Sequence, residues 1–152
     1  MTIGTSRVRL HSGLRFSDHD CFLEVDGSVE DDPSLQSCGD ARLIVRIQSN
    51  GYSGQATAWV HGEDLLRFRE ELASLNASLR GKAGLSSMSP GVLAIEVLSV
   101  SSRGHVAVQG SIGGQLYGEN AMFWHSVSFG FEFEQSQLEQ ATRASWLQGD
   151  AA

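Results

Sequence analysis

The chain has no apolar run long enough to span a bilayer, no catalytic signature and little basic charge. Hydrophobic residues make up 41% of its 152 positions, yet they are interrupted well before the roughly 20 consecutive residues that a membrane-spanning helix requires. With charged residues at 19%, the composition excludes a disordered or fibrous chain and fits a single domain over 1–152. The opening segment MTIGTSRVRLHSG carries neither the apolar core nor the cleavage site of a secretory signal. The expectation is a cytoplasmic protein whose two cysteines, Cys21 and Cys38, are reduced and buried as small apolar groups. Eleven Lys and Arg against eighteen Asp and Glu give a net charge of −7, which argues against nucleic acid and anionic membrane as direct partners.

Metal and catalytic chemistry lack their usual spacings. The five histidines, His11, His19, His61, His105 and His125, are dispersed, with no pair at the spacing of a zinc finger or a helical metal site. His19-Asp20-Cys21 with Cys38 supplies three soft or borderline ligands, His19, Cys21 and Cys38, where a closed zinc site needs a fourth and a tight Cys pair, and Asp18 with Asp20 begins like a calcium loop that Phe22 interrupts. Gly51-Tyr52-Ser53-Gly54 lacks the last glycine of a nucleophile elbow, and the glycine-rich stretch from Gly110 to Gly118 lacks the Lys-Ser/Thr pair of a phosphate cradle. Glu132 and Glu134 share a strand face without a third polar partner and read as a solvated rim. No metal, no cofactor and no catalytic residue is expected.

What is present is strand and helix periodicity. Leu65, Phe68, Leu72, Leu75 and Leu79 recur at steps of three and four and form one helix stripe. Glu63 and Asp64 suit the helix start, and Gly81 suits its end. Residues 41 to 49 and 52 to 60 flank Asn50-Gly51, the dipeptide of a two-residue type I′ turn, which sets Leu43, Val45 and Ile47 opposite Ala58, Ala56 and Gly54. The small residues of this face form a trough in which the helix is expected to lie. Further strands are expected at Arg7 to His11, Leu14 to Phe16, Cys21 to Asp26, Leu93 to Val100 and His105 to Ile112, with Gly104 left-handed between the last two. Gly113 to Asn120 reads as a long loop, Val127 to Phe133 as a central core strand, and Ser136 to about Leu147 as a short helix opened by a capping box. Residues 149 to 152 read as a frayed tail. The fold class is α+β: an antiparallel meander of about six to eight strands, one long amphipathic helix packed on a face, and a short C-terminal helix.

Charge is unevenly placed. Asp18, Asp20, Glu24, Asp26, Glu30, Asp31, Asp32 and Asp40 fall within 23 residues that contain no Lys or Arg. Such a tract repels itself and suits a basic partner; Asp26, Glu30, Asp31, Asp32 and Asp40 are the candidate partner-binding residues. A second candidate is the strand face of Arg42 and Arg46 beside Gln55 and Trp59, where an arginine could stack on indole.

Taken in order, Trp59, Asp64-Leu65 with Phe68, Leu72 and Leu75, then Gly81-Lys82-Ala83-Gly84-Leu85, Leu93, Gly104-His105 and Phe129-Gly130-Phe131 up to Leu138 resemble the pattern of WapI-type immunity proteins. The resemblance covers about residues 55 to 147. It implies a small cytoplasmic bacterial protein, not an enzyme, that neutralises the toxic domain of a contact-delivered polymorphic toxin. A basic toxin domain, often a nuclease, is the partner so implied; a small-molecule-binding or accessory domain is the alternative. Gln135-Ser136-Gln137 departs from the pattern, which has an acidic residue before the last helix.

Overall fold

Asn50 and Gly51 both take positive φ, 53° and 84°, as a type I′ turn demands. In a computed structural model that describes residues 13–148, this turn joins β3 (Ala41–Ser49) to β4 (Tyr52–Val60). The register is the one the turn dictates, with Leu43 opposite Ala58, Val45 opposite Ala56, Ile47 opposite Gly54 and Arg46 opposite Gln55. Before them lie β1 (Leu14–Asp18) and β2 (Cys21–Val29), and the order β1-β2-β3-β4 makes one antiparallel sheet. The strand expected at Arg7 to His11 and the tail at 149–152 lie outside the described residues.

Helix α1 (Gly62–Ser78) leads into a second antiparallel sheet of β5 (Lys82–Ser86), β6 (Leu93–Ser99), β7 (Val106–Tyr117) and β8 (Met122–Phe133), again in sequence order. A short helix, α2 (Ser136–Ala141), follows. The α+β class and the strand number are as expected, but the meander divides into two sheets that face each other. Their inner faces share one apolar core, in which the rings of Phe16 in β1 and Phe133 in β8 stack with centroids 4.2 Å apart. Leu65, Phe68, Leu72 and Leu75 of α1 are buried in the same core.

Several local expectations need correction. Ile112 and Val127 of the second sheet fill the Gly54 end of the trough, each 3.2 Å from where a Cβ on Gly54 would stand, while α1 runs closest to β5. The helix ends earlier than Gly81: Leu79 takes the left-handed conformation, φ 57°, and its N–H closes on the Leu75 carbonyl. Residues Gly113 to Tyr117 belong to β7 and pair with Met122 to Ser126. Glycine marks close approach here, since a Cβ on Gly113 would stand 2.5 Å from the Trp124 ring and 2.6 Å from the Gly91 carbonyl. Strand β8 buries Phe129 and Phe133, yet it is the last strand of its sheet. At α2, Ser136 is the first helical residue and Gln135 the cap, with no side-chain bond, so no capping box forms and the helix stops at Ala141. Cys21 and Cys38 are free, but Cys38 is exposed and Cys21 half-buried.

Sheet edges carry unpaired amides and carbonyls that invite other strands, and here each edge is met at one residue by a specific group. The Gln137 side chain binds Ser17 of β1 twice, its carbonyl accepting from the Ser17 N–H (2.8 Å) and its amide donating to the Ser17 carbonyl (2.9 Å). The Met88 N–H donates to the Trp59 carbonyl of β4. The Glu71 carboxylate accepts from the Gly84 N–H of β5 (3.0 Å), and the Ser49 hydroxyl donates to the Gly130 carbonyl of β8 (3.2 Å).

Candidate partner-binding surface

The connection from β2 to β3 folds on itself. At its neck the Glu30 N–H donates to the Asp40 carbonyl (2.9 Å) and the Gly39 N–H to the Glu30 carbonyl (2.8 Å). Inside, Asp32 Oδ1 accepts from the Ser34 N–H (2.9 Å) and hydroxyl (2.7 Å), a turn that aspartate forms readily. The backbone bond, and after it the hydroxyl, hold the Asp32 carboxyl below the usual carboxylate range. Glu30 Oε2 accepts from the Asp32 N–H (3.2 Å). Asp40 Oδ1 accepts from the Gly62 N–H (2.8 Å) at the start of α1, where His61 supplies no side-chain cap. The approach is so close that a Cβ on Gly62 would stand 2.7 Å from the Gly39 carbonyl.

The structure thus divides the acidic tract. Asp18 and Asp20 sit at the β1–β2 turn, at the far end of β2 from Glu30, about 30 Å away at the rise of a strand. Glu24, in the middle of β2, pairs with Arg15 and with Arg46 (3.7 Å). Asp26, Glu30, Asp31, Asp32 and Asp40 remain toward the loop end; Asp26, Asp31 and Asp32 are exposed, Glu30 and Asp40 half-buried. Among the described residues none of these five forms an ion pair. Asp40 and Asp32 build the loop, and Asp31 and Asp26 are the carboxylates with no hydrogen bond that shapes it. The other candidate face is internally engaged: Arg46 Nε donates to Gln55 Oε1 (3.2 Å), and the cation–π contact is Arg15 over Phe22 (5.1 Å), not arginine on Trp59.

Beside the acidic loop runs a groove of about 700 Å³ between the end of β2, the first turns of α1 and the segment after α2. Leu65, Leu66, Val29 and Trp146 form its apolar floor, and Glu30, Asp31 and Arg69 stand among its polar lining. Leu66 and Trp146 are not among the residues expected from the sequence. Leu66 is an apolar residue off the buried stripe and is 48% exposed, a signal that was legible. Trp146 lies beyond the end of α2, buried with its Nε1–H donated to the Val25 carbonyl (3.1 Å), which no periodicity foretells.

A second cleft of about 680 Å³ lies between α1 and the second sheet, the place for a small ligand. Its polar groups are already engaged: Lys82 and Gln109 both meet Glu96 (3.4 and 2.9 Å), Arg67 meets Asp64 (2.7 Å), and Glu71 holds Gly84. The Gln109 bond, more than Lys82, keeps the Glu96 carboxyl below its ordinary range. Ser101 Oγ lies 2.7 Å from His105 Nδ1, but it also accepts from the N–H groups of Arg103 and His105, so it serves as a turn cap. Among the described residues no three His, Cys, Asp or Glu side chains are grouped to hold a metal ion, and no helix is long and apolar enough to cross a membrane.

A family model described as the Immunity protein WapI-like family matches residues 22–145. No curated protein and no solved structure gives a significant match.

Proposed function

The chain belongs to the WapI-like immunity protein family, and from that premise we propose that it is a non-enzymatic inhibitor that binds a basic toxin domain directly and acts in the cytoplasm. The observation that carries the placement is the acidic β2–β3 loop, whose carboxylates form no ion pair among the described residues while an apolar groove, with Arg69 at its lining, lies next to them. Asp26, Glu30, Asp31, Asp32 and Asp40 form the electrostatic rim, and Leu66 and Trp146 lie in the adjoining groove. A nuclease must present basic surface to phosphate, so an acidic rim competes for the same surface.

Rim charges act chiefly on encounter, raising association from a neutral ~10⁵–10⁶ M⁻¹s⁻¹ toward ~10⁸ M⁻¹s⁻¹ at low salt. The test is stopped-flow or surface association with a purified basic nuclease toxin domain that this chain neutralises in a co-expression assay, using the triple variant Glu30→Gln, Asp31→Asn, Asp32→Asn. Amides keep the acceptor oxygens that shape the loop and remove only charge. Slower association with a flatter salt dependence, at unchanged unfolding, is the expected result. An unchanged rate and unchanged salt sensitivity would reduce the loop to a solubilising turn.

A further inference from the structure

Strands β7 and β8 pair over their full lengths, but β6 accompanies β7 only as far as Ile112. The Gly113 N–H still reaches the Val92 carbonyl (3.0 Å); beyond it, Gly114 to Tyr117 and the facing residues from Met122 to His125 project past the sheet as a ribbon. This ribbon carries Leu116, Tyr117, Met122, Phe123 and Trp124, each between 44 and 71% exposed. Leu116 and Phe123 continue the inner face that holds Ile112 and Phe129, while Tyr117, Met122 and Trp124 lie on the outer face. Both faces of the ribbon are thus apolar.

We propose that this ribbon is a homodimer interface, in which the free edge of β8 along Met122–Ser126 pairs antiparallel with the same segment of a second copy. Four observations converge on that occupant. The edges of β1, β4 and β5, and β8 itself at Gly130, are each met at one point by a hydrogen-bonding group from elsewhere in the chain; along Met122–Ser126, β8 has no neighbouring strand on its outer side among the described residues. A partner laid flat on the ribbon covers one apolar face and leaves the other wet, whereas an added strand extends both. Between Arg103 and Glu132 the only charged residue is Glu119, so two copies that each carry −7 meet here without repulsion, and a basic partner finds nothing to neutralise. Antiparallel alignment also sends the two Glu119 residues and the two protein bodies to opposite ends of the pair. The three aromatic side chains of the ribbon, Tyr117, Phe123 and Trp124, at ~150–250 Å² each and about half exposed, offer roughly 300 Å² toward the ~800 Å² per partner that a stable interface buries, with Leu116 and Met122 adding to it.

Sedimentation velocity on the full chain between about 1 and about 200 µM tests the proposal. The expected result is a concentration-dependent shift from the 16.4 kDa monomer to twice that mass. A Met122→Lys/Phe123→Lys double variant should weaken the dimer by roughly 100-fold or more, while Tyr52→Lys, exposed on the other sheet, should not. Hydrogen exchange of the wild-type chain gives a readout that needs no variant: amides of residues 122–126 should gain protection as concentration rises. A wild-type chain monomeric throughout, a lysine variant that dimerises as well as wild type, or exchange at 122–126 independent of concentration overturns it.

Discussion

Replacing Gln137 by glutamate changes one atom type at the β1 edge and isolates what the side-chain amide does there. In the native chain its amide nitrogen donates to the Ser17 carbonyl at 2.9 Å and its oxygen accepts from the Ser17 N–H at 2.8 Å, with both residues half-buried. An ionised carboxylate keeps the second bond and places a lone pair against the carbonyl in the first. Losing a donor to a half-buried carbonyl costs about 2 kcal/mol, or about 4–8 °C in Tm for a chain of this length. The protonated acid restores the donor, so folding favours the protonated form and raises the pKa of the introduced group above its unfolded value. The stability tied to that group is therefore fully present below the unfolded pKa and is lost as pH rises through the folded one. Urea unfolding followed by tryptophan fluorescence, for Gln137→Glu beside wild type, should show a deficit of about 2 kcal/mol at pH 7.5 and nearly none at pH 4, with the slope m unchanged. An equal deficit at both pH values, or none at either, refutes the claim that Gln137 closes this edge.

Leu72→Ala removes a fully buried side chain from the shared core and should cost about 2–5 kcal/mol by chemical denaturation. Asp40→Ala deprives the Gly62 N–H of its acceptor and should destabilise by about 1 kcal/mol, most of it regained in Asp40→Asn, which keeps an oxygen in place. Ser34→Ala takes away the hydroxyl bond to Asp32 but leaves the stronger backbone bond, so the Asp32 carboxyl should titrate closer to its ordinary range in a carbon-detected NMR titration while remaining below it. Because that pKa is depressed in the folded chain, the bonds stabilise above the unfolded value and their contribution fades as pH falls through the folded one; a titration identical to wild type refutes the assignment.

What could be read from the sequence was what neighbours along the chain decide. Asn50-Gly51 determines its own conformation and with it the pairing of nine residues on each side, and the stripe from Leu65 to Leu75 follows from helical geometry alone. The division into two sheets was not legible, because nothing local tells Gly54 whether a helix or the side chains of Ile112 and Val127 will fill the space above it. Gly113 and Gly114 suggested a loop, when at Gly113 the missing Cβ makes room for Trp124. Leu79 takes the left-handed end of α1 although it still packs against the core, and Gly81, also at positive φ, lies two residues beyond it. The acidic tract was visible as composition, but its division was not: register placed Glu24 opposite Arg46, and tertiary approach set Asp40 against α1, so the linear cluster became a shorter surface beside a groove that the sequence did not announce.

Each sheet is drawn from one continuous stretch of chain, the first from residues 14–60 and the second from 82–133, and this has a consequence for biosynthesis. The first sheet can pair its strands as soon as they leave the ribosome, since every pairing is with a sequence neighbour. The Gly54 end of its inner face, beside Ile47, nonetheless stays wet until Ile112 and Val127 are made, an interval of several seconds at ~5–20 residues per second. A half-made chain with such a face adheres to its neighbours on a polysome unless something holds them apart. The carboxylates from Asp18 to Asp40 emerge with that face, so the nascent protein carries its own repulsion during the seconds when it is most prone to aggregate.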